Sequence, residues 1–185
     1  MKILQVVYPG IGGNSSVAFS YVEGQKKSKK YKNFFLFAGV EKLLDNHKEK
    51  CIKLNIRYIF LKKKRFQIKI KKILDIIFNE SPDIIIVHDY NIFPFLIYKF
   101  IRKKKLIYVA HGPDKTKRFI DWIIYFFNSI FSCKIVLVSK RKKNELMYKI
   151  NKFFFSKKIN IIENGINTER FKKWIKLYIW VWQQG

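Results

Sequence analysis

The sequence has few of the residues that mark several large protein classes. Its 185 residues include only two cysteines, Cys51 and Cys133. Neither lies in a Cys-x-x-Cys pair, so a disulfide framework is excluded and a reducing cytoplasm is the natural setting. Three histidines with no Cys, Asp or Glu at ligand spacing give no metal-site pattern. Acidic residues number 13 against 39 basic ones, a formal net charge of +26. Arginine is scarce, 6 against 33 lysines. Bidentate base and phosphate readers rely on Arg, so specific nucleic-acid recognition is disfavoured. The Lys excess, with abundant Ile, Phe, Tyr and Asn, is the bias AT-rich codons produce. An anionic partner is the other source of such a charge. Long apolar runs are missing as well. Phe119 to Val138 is interrupted by Asp121, Asn128 and Lys134, and a bilayer span needs ~20 mostly apolar residues. The N-terminal run, Met1 to Tyr8, ends at Pro9-Gly10 and is too short for a signal peptide.

What remains is enough for one domain: 49% apolar residues in a chain of one-domain length. Strand-like and helix-like stretches alternate. Residues 2–8, 33–40, 56–61, 84–87, 106–110, 135–138 and 159–162 read as strands. Residues 14–27, 66–79, 92–104, 115–131 and 140–151 read as helices, with Asn14 or Ser15 as N-cap of the first. Residues 41–50 are polar and read as a loop or short helix, with His47 solvated. Residues 66–79 place Phe66, Ile70, Ile73, Ile77 and Phe78 on one stripe. Ile84-Ile85-Ile86-Val87 is β-branched without alternation, which predicts burial on both faces of a parallel sheet. The expected fold is therefore α/β, a single Rossmann-like three-layer domain with a mostly parallel sheet.

In such sheets ligands bind outside the carboxyl ends of the strands. The candidate site residues are those just past each strand: Gly12 and Gly13; His88 and Asp89; His111 and Gly112; Ser139; and Asn164 and Gly165. Gly10-Ile11-Gly12-Gly13 precedes a helix, where glycines admit a phosphate to backbone N–H groups. The dinucleotide pattern Gly-x-Gly-x-x-Gly fails at Ser15. His111 closes a strand and is followed by Gly112-Pro113, which leaves its imidazole room to meet a hydroxyl or phosphate. The alternatives are a tight turn for the glycines and Asn164-Gly165, and a surface or supporting role for His88.

Taken in order, MKILQVVYPGIGGNSS, SPDIIIVHDY, LIYVAHG, IVLVSKRKKNEL and NIIENGINTERF resemble the N-terminal domain of GT-B-fold retaining glycosyltransferases of the family 4 type. Asn167 stands where that group usually has Asp. The resemblance covers residues 1 to about 171. It implies a nucleotide-sugar donor as substrate and a glycan or lipid-linked acceptor. It also implies no metal or cofactor, and a cytoplasmic place at the inner face of the cell membrane, in bacterial surface polysaccharide assembly. His111 would face the reacting sugar as the catalytic residue. Gly12, Gly13, His88, Asp89, Gly112, Ser139, Asn164 and Gly165 would bind substrate.

The family's donor-binding second domain, with its Arg/Lys pair and Glu-x7-Glu motif, has no counterpart in the sequence. Glu41 and Glu49 share that spacing but precede the third strand. The expectation is thus half of a GT-B fold over residues 1–171, followed by an aromatic tail at 172–185 that reads as a truncated hinge or linker. A separate chain carrying the other domain is one expected partner, and an anionic membrane surface another. The rival expectation is a non-catalytic basic module that would lay the aromatic helix 115–131, the lysine runs and the tail on anionic lipid.

Overall fold

The structure, a computed structural model, describes residues 1–11, 13–25, 30–62, 66–88, 92–111, 119–141 and 146–162. Strands and helices alternate along the chain. The strands are β1 (Lys2–Val7), β2 (Lys32–Gly39), β3 (Arg57–Lys62), β4 (Ile84–His88), β5 (Lys105–Ala110), β6 (Lys134–Leu137) and β7 (Ile159–Ile161). The helices are α1 (Gly13–Gln25), α2 (Asp45–Lys53), α3 (Phe66–Glu80), α4 (Phe93–Arg102), α5 (Phe119–Phe131) and α6 (Leu146–Phe155). All seven strands are parallel, in the order β3-β2-β1-β4-β5-β6-β7. The chain winds outward from β1 in one direction, crosses back through α3, and winds outward in the other. This is the expected Rossmann-like arrangement, and it places every strand's carboxyl end along one edge.

Helices cover both faces of the sheet. On one face Leu4, Val6, Leu36, Ile85, Val87 and Leu106 meet Ile73 and Ile77 of α3, Phe95 and Tyr98 of α4, and Tyr125 of α5. On the other, Val7, Phe35 and Phe37 meet Phe19 and Val22 of α1 and Cys51 of α2. Ile3, Ile86, Val109 and Val136 extend that face toward Val17 of α1. Each fully buried side chain of this kind contributes ~1.5–3 kcal/mol. Such double coverage is why β4 carries an unbroken apolar run. Of the stripe expected on α3, Ile73 and Ile77 are fully buried.

Asp83, in the Ser-Pro-Asp breaker before β4, is a clamp at the opposite, amino edge. Its carboxylate accepts from the Lys2 N–H at 2.9 Å and from Lys104 Nζ at 2.8 Å. Its own N–H donates to the Lys2 carbonyl at 2.8 Å. Lys104 first, then the Lys2 amide, hold this carboxyl below the usual range. The Asp83 contacts therefore fix the β1–β4 register.

Three local expectations change. The polar stretch after β2 takes the short-helix alternative, as α2, but His47 on it is 6% exposed rather than solvated. Its ring stacks on Phe37 at 5.6 Å and lies 6.0 Å from Phe19, an apolar environment that a polar sequence segment conceals. Helix α1 begins at Gly13, so Asn14 and Ser15 sit inside its first turn and neither is the N-cap. After β6, Lys140 and Arg141 form a short turn, residues 142–145 lie outside the described residues, and α6 runs to Phe155, past the expected end at residue 151.

Candidate functional site

The carboxyl edge of β1, β4, β5 and β6 gathers the described candidates. His88 is the last residue of β4, and the β4–β5 register sets it beside Val109. His111 follows two residues later, just past β5. The two rings meet there: His88 Nδ1 and His111 Nε2 are 3.0 Å apart, with centroids at 5.2 Å. His88 is fully buried, whereas His111 is partly exposed at the edge.

The far side of His88 explains an oddity of β1. Gln5 is a fully buried polar residue in the middle of an apolar strand. Its Oε1 lies 2.9 Å from His88 Nε2. Its amide nitrogen donates to Asn33 Oδ1 at 3.4 Å, and Asn33 donates to Gln25 Oε1 at 2.9 Å. The hydrogen-bond chain assigns the amide orientations and with them the tautomer. His88 carries its proton on Nε2, donates to Gln5, and offers the Nδ1 lone pair to His111. His111 Nε2–H then donates to His88. Burial first, then the neighbouring His111, push the His88 pKa well below its ordinary value, which keeps that ring neutral. A neutral, doubly bonded His88 fixes the plane of His111 and holds a proton on its Nε2. Tyr21 of α1 closes the pocket, 6.0 Å from the His88 ring.

The loop after β1 is shaped by crowding. A Cβ on Gly39, at the end of β2, would sit 2.5 Å from Pro9 Cδ and 2.7 Å from Tyr8 Cε2. One on Gly10 would meet Glu41 Oε2 at 1.6 Å. At Gly13 nothing lies within 4 Å, so the first turn of α1 opens onto free space at the strand edge. His47 props this loop from below. Burial lowers its pKa, an effect partly offset by the Pro9 carbonyl. Burial first, then the Glu41 carboxylate, raise the Tyr8 phenol pKa.

Ser139 stands two residues past β6. Its Oγ accepts from the Arg141 N–H at 3.2 Å, so it caps the turn that follows. Gly12, Asp89, Gly112, Asn164, Gly165 and the 172–185 tail lie outside the described residues. The structure thus joins His88 to His111, sets Gly13 and Ser139 on the same edge, and adds Gln5, Tyr8, Glu41 and His47. For Gln5 a signal was present in the sequence, a lone amide in an apolar strand. For Tyr8, Glu41 and His47 there was none, because their roles depend on how α2 meets the first loop. Among the described residues no three His, Cys, Asp or Glu side chains form a metal-binding group. No helix among them is long and apolar enough to cross a membrane.

Glycosyltransferase Family 4 matches residues 23–170, most of the chain. The chain belongs to this family. No curated protein matches it by sequence. Among solved structures, this family 4 chain is similar to the lipopolysaccharide outer core galactosyltransferase WaaB in its apo form. That pair has 16% identity and a TM-score of 0.66, over 90% of this chain and 46% of the other. A glycosyltransferase from Rickettsia africae shows 21% identity and a TM-score of 0.65, over 92% and 44%. The UDP-GlcNAc 2-epimerase from Neisseria meningitidis bound to UDP-GlcNAc shows 15% and 0.63, over 93% and 50%. At these identities the likeness is one of fold, a Rossmann-like half of the GT-B architecture. The family 4 chain spans about half the length of the structures it matches.

Proposed function

We propose that this chain is the acceptor-side domain of a glycosyltransferase. In this reading a nucleotide-sugar donor gives up its sugar to a hydroxyl of a glycan or lipid-linked acceptor, in bacterial surface polysaccharide assembly at the inner face of the cell membrane. The observation that carries the reading is the His111–His88–Gln5 chain at the carboxyl edge of the sheet. A pre-oriented imidazole there, beside the open first turn of α1, suits a hydroxyl-rich substrate. His111 would hydrogen-bond the sugar undergoing transfer as the catalytic residue. Gly12, Gly13, Asp89, Gly112, Ser139, Asn164 and Gly165 would line the substrate cleft, and His88 would position His111.

The bond that breaks joins the anomeric carbon to the phosphate oxygen. The bond that forms joins that carbon to the acceptor oxygen, whose proton passes to the departing phosphate oxygen. Stabilising the departing diphosphate is electrostatic work, for backbone N–H groups and cations aimed where charge develops. In this reading most of those donors belong to the second half of the GT-B fold, carried in the same polypeptide or on a separate chain. The test mixes the 185-residue chain with a panel of nucleotide sugars and lipid-linked acceptors, with and without a family donor domain. Product formation only in the combined mixture is expected. Robust turnover by the chain alone would overturn the acceptor-side assignment.

A further inference from the structure

We propose that the outer face of α4, α5 and α6 docks on an anionic lipid bilayer. The inference deepens the transferase reading by naming the surface that would bring the cleft to a lipid-linked acceptor.

The face is apolar where a solvated helix face is normally polar. On α4, Phe93, Ile97, Phe100 and Ile101 fall at helical spacing on one stripe, each between 46 and 62% exposed. On α6, Phe153 and Phe154 are 84 and 61% exposed. Helix α5 joins them into one seam. Phe131 meets Phe100 at 6.2 Å and Phe127 at 6.2 Å, and Phe126 meets Phe155 at 6.2 Å. Single exposed apolar residues are ordinary, but a contiguous patch marks an interaction site.

The charge around the seam selects the partner. Neither α4 nor α6 contains an acidic residue, and α5 carries one, Asp121 in its first turn. Arg102, Lys103, Lys149, Lys152 and Lys157 are exposed on or beside those helices. Two further lysines are seated within the seam. Lys99 donates to the Phe131 carbonyl and lies 5.4 Å from the Phe100 ring. Lys158 donates to the Ile130 carbonyl at 2.7 Å and lies 5.2 Å from the Phe155 ring. Apolar side chains set among cations suit a headgroup–acyl boundary carrying negative charge. A second copy of a +26 chain would be repelled. A nucleic acid would find rings to stack on but no use for the aliphatic Ile97 and Ile101. The seam starts at Phe93, the first residue of the helix that follows β4, so it reaches the carboxyl edge where His88 and His111 lie.

The test is flotation of the full chain with phosphatidylcholine vesicles, with and without about one-third phosphatidylglycerol, in the absence of any nucleotide sugar. The expected result is binding roughly tenfold tighter to the anionic vesicles, weakened by salt. Phe153→Ser/Phe154→Ser should lower it by roughly tenfold or more, with the far-ultraviolet circular dichroism unchanged. Ile52→Ser, an exposed apolar change on α2 of the other face, should leave binding intact. Three results would overturn the proposal: vesicle binding that survives in the double variant, a double variant that changes only self-association in sedimentation, or one that changes only oligonucleotide binding. Because no sugar nucleotide is present, failed docking leaves the transfer reading standing, and failed transfer leaves docking intact.

Discussion

The Gln5–His88 contact makes a quantitative claim about stability. Both side chains are fully buried and are bonded to each other at 2.9 Å. Gln5→Met keeps length and packing but leaves the His88 Nε2–H without an acceptor. A buried unsatisfied donor costs ~1–3 kcal/mol, so about 2 kcal/mol is expected. His88→Leu strands the Gln5 carbonyl oxygen in the same way, again at about 2 kcal/mol. His111, partly exposed, can recover its bond from water. The double variant removes both polar partners, which costs little beyond either single change. The cycle should therefore show a coupling of ~2 kcal/mol, far above the ~0.3–0.5 kcal/mol scatter of independent sites. Urea denaturation followed by circular dichroism measures it, provided the slope is constant across the four chains. In thermal melts each single variant should fall by roughly 4–8 °C. Additive single effects would refute the bonded pair and, with it, the tautomer assigned to His88.

Three further outcomes follow from the same geometry. The His88 pKa is depressed by burial, so below the unfolded value of ~6.5 the unfolded chain takes up a proton that the folded one refuses. Stability should fall between about pH 7 and pH 5 from His88 alone, by at most ~2 kcal/mol, the limit that the unfolded pKa sets. His47 adds in the same direction, and His88→Leu should flatten the His88 share of the pH–melting curve. Gly39→Ala forces a Cβ onto the Pro9 ring and should cost ~1–3 kcal/mol, whereas Gly13→Ala meets open space and should be neutral or stabilising by up to ~1 kcal/mol in the same melts. Cys133 is exposed while Cys51 is buried with its thiol pushed up to about 12. A thiol reagent should therefore label one cysteine in the native chain and two in urea.

Much of the fold was legible because burial leaves its mark on single segments. The run from Ile84 to Val87 had to be covered on both faces, and the spacing of Ile73 and Ile77 had to form a helical stripe. The site was legible only to the extent that strand ends could be located. That His88 and His111 are partners depends on β4 and β5 being neighbours in register, which no local pattern encodes. Gln5 was visible as an anomaly but its role required the same sheet order. His47 was misplaced because its neighbours in sequence are polar, while its neighbours in space are Phe19 and Phe37. Asp83 opens the segment that ends in His88, and its hydrogen bonds make it a clamp at the opposite edge, a role no local pattern encodes. The exposed seam was legible in part, since the aromatic helix 115–131 was expected on anionic lipid, while the outward-facing residues of α4 and α6 were hidden for the converse reason. Apolar helix residues read as core until the structure shows which ones face outward.

The central claim is that the histidine pair at the strand edge serves glycosyl transfer. Its most direct measurement is turnover by this domain combined with a family donor domain, comparing the parent with His111→Ala. The account predicts a fall in kcat of roughly 100-fold or more for a lost catalytic contact, with the KM for the nucleotide sugar changed by no more than about threefold, since its main contacts lie in the other half. Parent-level turnover in His111→Ala would contradict it.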